Sequence, residues 1–232
     1  CKGSVDVLVY KINASTGQFN MEMTVGGIKN ERIGDRVVIG NKLYMIGTTS
    51  SSDFPTTNGT TIQNNSYLGE LYFTVINLDT KQILLSTILK IGNSGNSSVT
   101  PRQLIVEGNN AYIVGNTDEK QFTSTNGTKF NGEEDIFYYK LNATTGAVLA
   151  KSIFGSDLYE YLSNSFIGVP KVFQKVCDKI HIFISSEGSM PVTSGVDISA
   201  SPAVYPLYVI LDEATGSITY STYLGPGYAR PQ

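Results

Sequence analysis

Asp6-Val-Leu-Val-Tyr-Lys-Ile-Asn-Ala-Ser-Thr-Gly17 recurs as Asp135-Ile-Phe-Tyr-Tyr-Lys-Leu-Asn-Ala-Thr-Thr-Gly146. A weaker copy runs from Glu70 to Lys81 as Glu70-Leu-Tyr-Phe-Thr-Val-Ile-Asn-Leu-Asp-Thr-Lys81, and a last one from Leu207 to Gly216. Other segments keep step with these. Gly40-Asn-Lys-Leu-Tyr-Met-Ile-Gly47 returns 68 residues later as Gly108-Asn-Asn-Ala-Tyr-Ile-Val-Gly115. Phe54-Pro-Thr-Thr-Asn-Gly-Thr60 returns, also 68 later, as Phe122-Thr-Ser-Thr-Asn-Gly-Thr128, with a degraded third copy at Met190-Pro-Val-Thr-Ser-Gly195. Several segments matched in one order make an internal repeat, and a repeat governs the fold.

Each unit reads as four short strands. Val7 to Ile12, Tyr72 to Ile76 and Ile136 to Leu141 are aromatic and β-branched, which suits a pleated surface. Each ends where Asn and Thr bond the local backbone and Gly supplies positive φ. A second strand follows, as in Ala147 to Ile153, and two more form a hairpin about a Gly-Asn turn, as in Gln103 to Val114. A long Ser/Thr/Asn/Gly connection completes the unit. No segment has a firm helical period; Asp157 to Phe166 is the one weak candidate. Four antiparallel strands per unit, radially repeated, describe an all-β protein of β-propeller type with four-stranded blades. Stacked sandwiches are the alternative, but the unit is shorter than the ~100 residues of an independent sandwich.

Gly47-Thr-Thr-Ser-Ser-Ser-Asp-Phe-Pro-Thr-Thr-Asn-Gly59 and the ending Ile218-Thr-Tyr-Ser-Thr-Tyr-Leu-Gly225 resemble the signature of the SBBP (seven-bladed β-propeller) repeat family. The resemblance spans essentially the whole chain and is weakest from Ser185 to Gly195. It implies a β-propeller in a secreted or surface-anchored protein, no single activity and no catalytic residue. Related propeller repeats place the strand before the Gly-Asn hairpin innermost. With that frame, residues 1–232 form one propeller region: an outer half-blade over about 6–25, then blades over about 35–91, 103–154 and 170–225, three and a half in all. An unclosed array leaves strand edges bare, so the expected partners are the rest of a larger propeller or other copies of the chain. A compact four-bladed ring with one half-built blade is the alternative.

Composition narrows the function. Charged residues are 16% and hydrophobic ones 41%, a globular balance, with net charge −3. Lys and Arg are scattered, which gives no footprint for nucleic acid, and no apolar run reaches the roughly 18 residues of a membrane helix. The chain opens on Cys1, with no Met and no signal peptide, and reads as a processed product or part of something longer.

Candidate sites are few. Asp6, Glu70 and Asp135 occupy one repeat position, where a long loop enters a strand. They are either a set of acids on a ligand face or side chains that bond nearby backbone. Asn13, Asn58, Asn64, Asn96, Asn126 and Asn142 head Asn-x-Ser/Thr sequons, six against about three expected from composition. They are either glycosylation sites or turn-forming asparagines. Cys1 is a candidate lipidation site. It is placed on the opposite face from Cys177, so the two are not expected to pair. His181 is the only histidine and stands where the other units have Tyr44 and Tyr112. No P-loop, nucleophile elbow or cofactor fingerprint appears, and no cofactor is expected. The expected role is a secreted or cell-surface binding scaffold that is not an enzyme, with contacts to proteins or glycans through long loops carrying Phe54, Tyr67 and Phe122. A propeller hydrolase or lyase with a central-channel site is the alternative.

Overall fold

The computed structural model describes residues 2–62, 69–92, 97–162, 173–193 and 204–225. It is all-β and antiparallel, with no helix among the described residues. A first pair holds β1 (Val7–Ile12) and β2 (Phe19–Val25). A second sheet runs in order through β3 (Glu31–Ile39), β4 (Lys42–Thr49), β5 (Glu70–Asn77) and β6 (Gln82–Leu89). A third repeats the order with β7 (Val99–Glu107), β8 (Asn110–Thr117), β9 (Asp135–Asn142) and β10 (Val148–Phe154). In the fourth, β11 (Glu160–Tyr161) and β12 (Phe173–Val176) lie along the same edge of β13 (Lys179–Ser186), followed by β14 (Tyr205–Asp212) and β15 (Ile218–Tyr223).

The repeated segments thus become equivalent strands, since β5, β9 and β14 each take the third place in their sheets. Three expected blade starts move. β3 starts at Glu31 and β7 at Val99, several residues before the expected 35 and 103. A bulge between Ile33 and Asp35, and another between Pro101 and Gln103, let the chain pair past Gly34 and past a proline that cannot donate to a ladder. The fourth sheet already begins at Glu160. The weak helix candidate resolves into a bend and this short strand over 157–162, and its remainder lies outside the described residues.

The sheets stack face to face in chain order, and the strand period of two divides each one between two cores. β4 sends Leu43 and Met45 toward the first pair, and Tyr44 and Ile46 toward the third sheet. β8 sends Ala111 and Ile113 back to the second sheet, and Tyr112 and Val114 forward to the fourth. Hence β4, β5, β8 and β9 are buried along most of their length. The inner edges are tied by polar links. The Leu104 N–H donates to the Asp35 carboxylate at 2.8 Å, and the Gln103 amide donates to the Phe173 carbonyl at 3.2 Å. The first bond joins β3 to β7, and the second joins β7 to β12.

Packing is tightest at a repeated glycine. A β-carbon on Gly115 would stand 2.5 Å from the Phe137 ring and 2.4 Å from the Thr100 carbonyl oxygen; Gly47 is covered in the same way by Tyr72 and the Arg32 carbonyl. Overpacking of this kind costs about 1–3 kcal/mol. Gly115→Ala is therefore expected to lower the unfolding free energy by about that much in urea titration. Wild-type stability in the variant would mean that Phe137 is not held over this glycine.

Candidate functional site

The long connections fold down over the outer strands. The Thr57 N–H donates to the Ser86 carbonyl of β6 at 2.8 Å, and the Ser86 N–H returns a bond to the Thr57 hydroxyl at 2.9 Å. Thr125 makes the same pair with Lys151 of β10, and Thr193 with Ser221 of β15. Each loop thereby caps a sheet edge that would otherwise present bare N–H and C=O groups. The loops are anchored by Phe54, Phe122 and Met190, all buried; Phe54 stacks on Tyr72 with centroids 4.8 Å apart.

This placement accounts for two sequons. Asn58 Oδ1 accepts the Thr60 hydroxyl at 2.7 Å while its Nδ2 donates to Thr87 on β6. Asn126 accepts the Thr128 hydroxyl and donates to Ser217 of the next sheet. Asn13 and Asn142 act differently. Their Oδ1 atoms close turns by accepting N–H groups two and three residues ahead. Asn77 and Asp212 close the same turn in the other units without heading a sequon. Asn64, Asn96, Tyr67 and Cys1 lie outside the described residues.

Asp6, Glu70 and Asp135 do not meet in one place, because each stands at its own sheet junction. Asp6 Oδ2 accepts the Lys2 N–H and Asp135 Oδ2 the Asn131 N–H, both from four residues upstream. Their other oxygens face acids that the sequence reading did not single out. The point where a β-carbon would stand on Gly155 is 2.1 Å from Asp135 Oδ1 and 2.4 Å from Glu160 Oε2. The two oxygens therefore face each other over a glycine, separated by no more than the sum of those distances. Gly26 is covered likewise by Asp6 and Glu31. The readable signal was a repeated Gly-x4-Glu spacing, Gly26 to Glu31 and Gly155 to Glu160.

Asp135 and Glu160 are fully buried. Glu160 Oε1 accepts the Ser156 and Ser186 hydroxyls, whereas Asp135 Oδ1 and Glu160 Oε2 have, among the described residues, no partner other than each other. A single proton held between those two atoms satisfies both. Burial first, and then the facing Glu160, push the Asp135 carboxyl up to about 8, against the pull of the Asn131 N–H. Burial also raises Glu160, and Asp157 adds to the rise. Among the described residues no group of three or more His, Cys, Asp or Glu side chains is arranged to hold a metal ion.

A groove of about 510 Å³ lies at the loop end of the third sheet, beside the entry to the fourth. Asp118, Glu119, Glu133 and Glu134 line it with Lys120 and Tyr159. Asp118 accepts the Ser98 N–H at 2.6 Å and Glu119 the Gln121 N–H at 2.7 Å, so both carboxylates are held in place. Burial raises Glu134, Arg102 opposes the rise, and Asp118 adds to it. Tyr159 is 38% exposed and stacks on Tyr161. The remaining residues of interest lie elsewhere. His181 contacts the Tyr208 hydroxyl on the outer face of the fourth sheet. Cys177 is exposed and free, in the β12–β13 turn with φ 52°.

No protein-family model matches the chain, and no curated protein matches it. Among solved structures, a europium-containing methanol dehydrogenase is similar, with 14% identity and a TM-score of 0.40. The match covers 84% of this chain and 28% of that one. That protein is an enzyme, which corrects the expectation of a non-enzyme: the absence of catalysis is not carried forward. At this TM-score the likeness supports no inference about the chain's own activity.

The buried acid pair has a thermodynamic signature. The folded protein keeps a proton that the unfolded chain releases near the ordinary aspartate value of about 4. Stability from this pair is therefore complete at low pH and is lost as the pH rises from about 4 to about 8. Asp135→Asn, which retains a hydrogen-bond donor toward Glu160, should flatten that decline when Tm is followed across the same range. An equal slope in both proteins would exclude a proton at this pair.

Proposed function

We propose that the chain is a propeller-type, SBBP-like repeat region of a secreted or cell-surface protein, and that it works as a rigid binding scaffold. The repeated sheets support the propeller reading, since each has the same strand order and packs on the next through both faces. The observation that carries the binding role is the groove beside Tyr159. Four carboxylates and a half-open aromatic ring, held on rigid strand ends, suit a sugar. The ring offers a flat face to the apolar side of a pyranose, and the carboxylates accept its hydroxyls. Among the described residues no helix is long and apolar enough to cross a membrane.

The scaffold assembles through its ends. Leu8, Tyr10 and Ile12 of β1 are exposed at 44%, 45% and 53%, and Phe183, Tyr208 and Ile210 of the fourth sheet are half-buried. Exposed apolar faces of this extent mark contact surfaces. If the protein carries sugars, Asn13 is the best placed acceptor among the described sequons. It is exposed, and its turn bonds use only Oδ1.

Binding to arrayed glycans tests the groove. Tyr159→Ala should weaken the best-bound glycan by about tenfold, and Glu133→Gln by a smaller factor. A chain that binds no glycan, or a Tyr159→Ala variant that binds as well as wild type, would refute the sugar reading. Sedimentation tests assembly separately. The isolated chain should self-associate, and a monomer that stays soluble at high concentration would contradict the end-face reading.

A further inference from the structure

The junctions between sheets differ at one repeated place. The Leu78 N–H donates to the Asn41 carbonyl at 2.8 Å, the Ala143 N–H to the Asn109 carbonyl at 2.7 Å, and the Glu213 N–H to the Asp178 carbonyl at 3.1 Å. These three are the first residues after β5, β9 and β14. Leu78 packs on the core between the first pair and the second sheet. Glu213 reaches back to the third sheet, where the Tyr112 hydroxyl donates to it at 3.0 Å and Lys140 at 3.1 Å. Ala143 belongs to the core between the second and third sheets, and its side chain stops at the β-carbon.

Beside that short side chain lies a cavity of about 250 Å³ between the second and third sheets. Tyr44 lines it, and Tyr44 is the counterpart of Tyr112: one lies opposite Val75 on β5, the other opposite Lys140 on β9. The Tyr112 hydroxyl finds its acceptor in Glu213, and Ala143 offers Tyr44 none. Val75 stands where the other junction has Lys140, and with Leu84 and Leu85 it makes the wall apolar. Lys42, exposed, adds a positive charge to the lining. The cavity thus combines an apolar wall with one hydroxyl and one ammonium group. A space of about 150 Å³ already holds benzene, so this one has room for a ring and a carboxylate.

We propose that this cavity binds a small carboxylic acid with an apolar body, of the size of benzoate. Its carboxylate takes the place beside Tyr44 that the Glu213 carboxylate takes beside Tyr112. Tyr44 donates its hydroxyl and Lys42 supplies the opposite charge, while the apolar body lies against Val75, Leu84, Leu85 and Ala143. The carboxylate stays next to an exposed lysine, so it keeps part of its hydration and avoids most of the cost of burial. A sugar suits the cavity poorly, because its hydroxyls would be left unpaired against the apolar wall. The site is separate from the groove beside Tyr159, and the proposal depends on neither the sugar reading nor assembly.

Titration of the chain with benzoate, followed by NMR, tests it. The Val75 and Ala143 signals should shift and saturate with a midpoint below about 1 mM. Benzyl alcohol, which has the ring but no charge, should bind at least about tenfold more weakly. Lys42→Met, a change on the surface, should weaken benzoate by about tenfold and leave benzyl alcohol unchanged. Ala143→Leu, which copies Leu78, and Ala143→Glu, which copies Glu213, should each abolish the benzoate shifts by filling the space. The absence of a saturable shift at about 20 mM benzoate would overturn the proposal. So would benzyl alcohol binding as tightly as benzoate, wild-type benzoate affinity in Lys42→Met, or wild-type affinity in a folded Ala143 variant.

Discussion

Every complete sheet in this protein is apolar on both faces, and the remaining features follow from that constraint. A strand alternates its side chains across the sheet, so a sheet with one wet face alternates apolar and polar residues. β5 and β9 do not. Leu71, Phe73 and Val75 feed one core while Tyr72 and Ile76 feed the other, and Ile136 and Tyr138 face away from Phe137 and Tyr139. Such a sheet needs a neighbour on each side. The central sheets have them. The first pair and the fourth sheet each turn one apolar face outward, the two surfaces proposed above for assembly.

Stacking sheets by their faces leaves their edges to be managed separately. The inner edges are joined by side chains that bond backbone, Asp35 to Leu104 and Gln103 to Phe173, across bulges that release the strands from regular pairing. The outer edges are covered by the long loops through a threonine that uses both its N–H and its hydroxyl. The loops are therefore structural over the part that contains Asn58 and Asn126. The groove proposed above for sugar binding lies instead at the strand ends around Asp118, Glu133 and Tyr159, where backbone N–H groups hold the Asp118 and Glu119 carboxylates.

Charge is concentrated at the sheet junctions. At one end of the sheets, Asp135 and Glu160 meet in the interior, and among the described residues no lysine or arginine bonds their facing oxygens. Two ionised carboxylates at such a site would repel and be poorly solvated, so the pair is stable only when it shares a proton. At the other end, Glu213 accepts from Lys140 at 3.1 Å and from Tyr112 at 3.0 Å, and Lys175 lies 3.2 Å away. That group ties the last turn of the fourth sheet to the third. A partly buried network of this kind sets register more than it adds stability.

The strands, their order and their turns were legible in the sequence because they depend on neighbours a few residues apart. Alternating aromatic and β-branched residues mark β1, β5, β9 and β14. The Asn or Asp at 13, 77, 142 and 212 closes each turn with N–H groups two and three residues on. The repeat then carried one unit's assignment to the next. What the chain does with its loops and acids was decided only by tertiary structure, since the partners are far apart in sequence and lack a local pattern. Thr57 meets Ser86 across an edge, Asp135 meets Glu160 across a sheet junction, and Asp35 meets Leu104 between two bulges. An acid before a strand reads the same whether it faces solvent or another acid. Burial against the following sheet makes the difference, and that is a property of how the sheets stack.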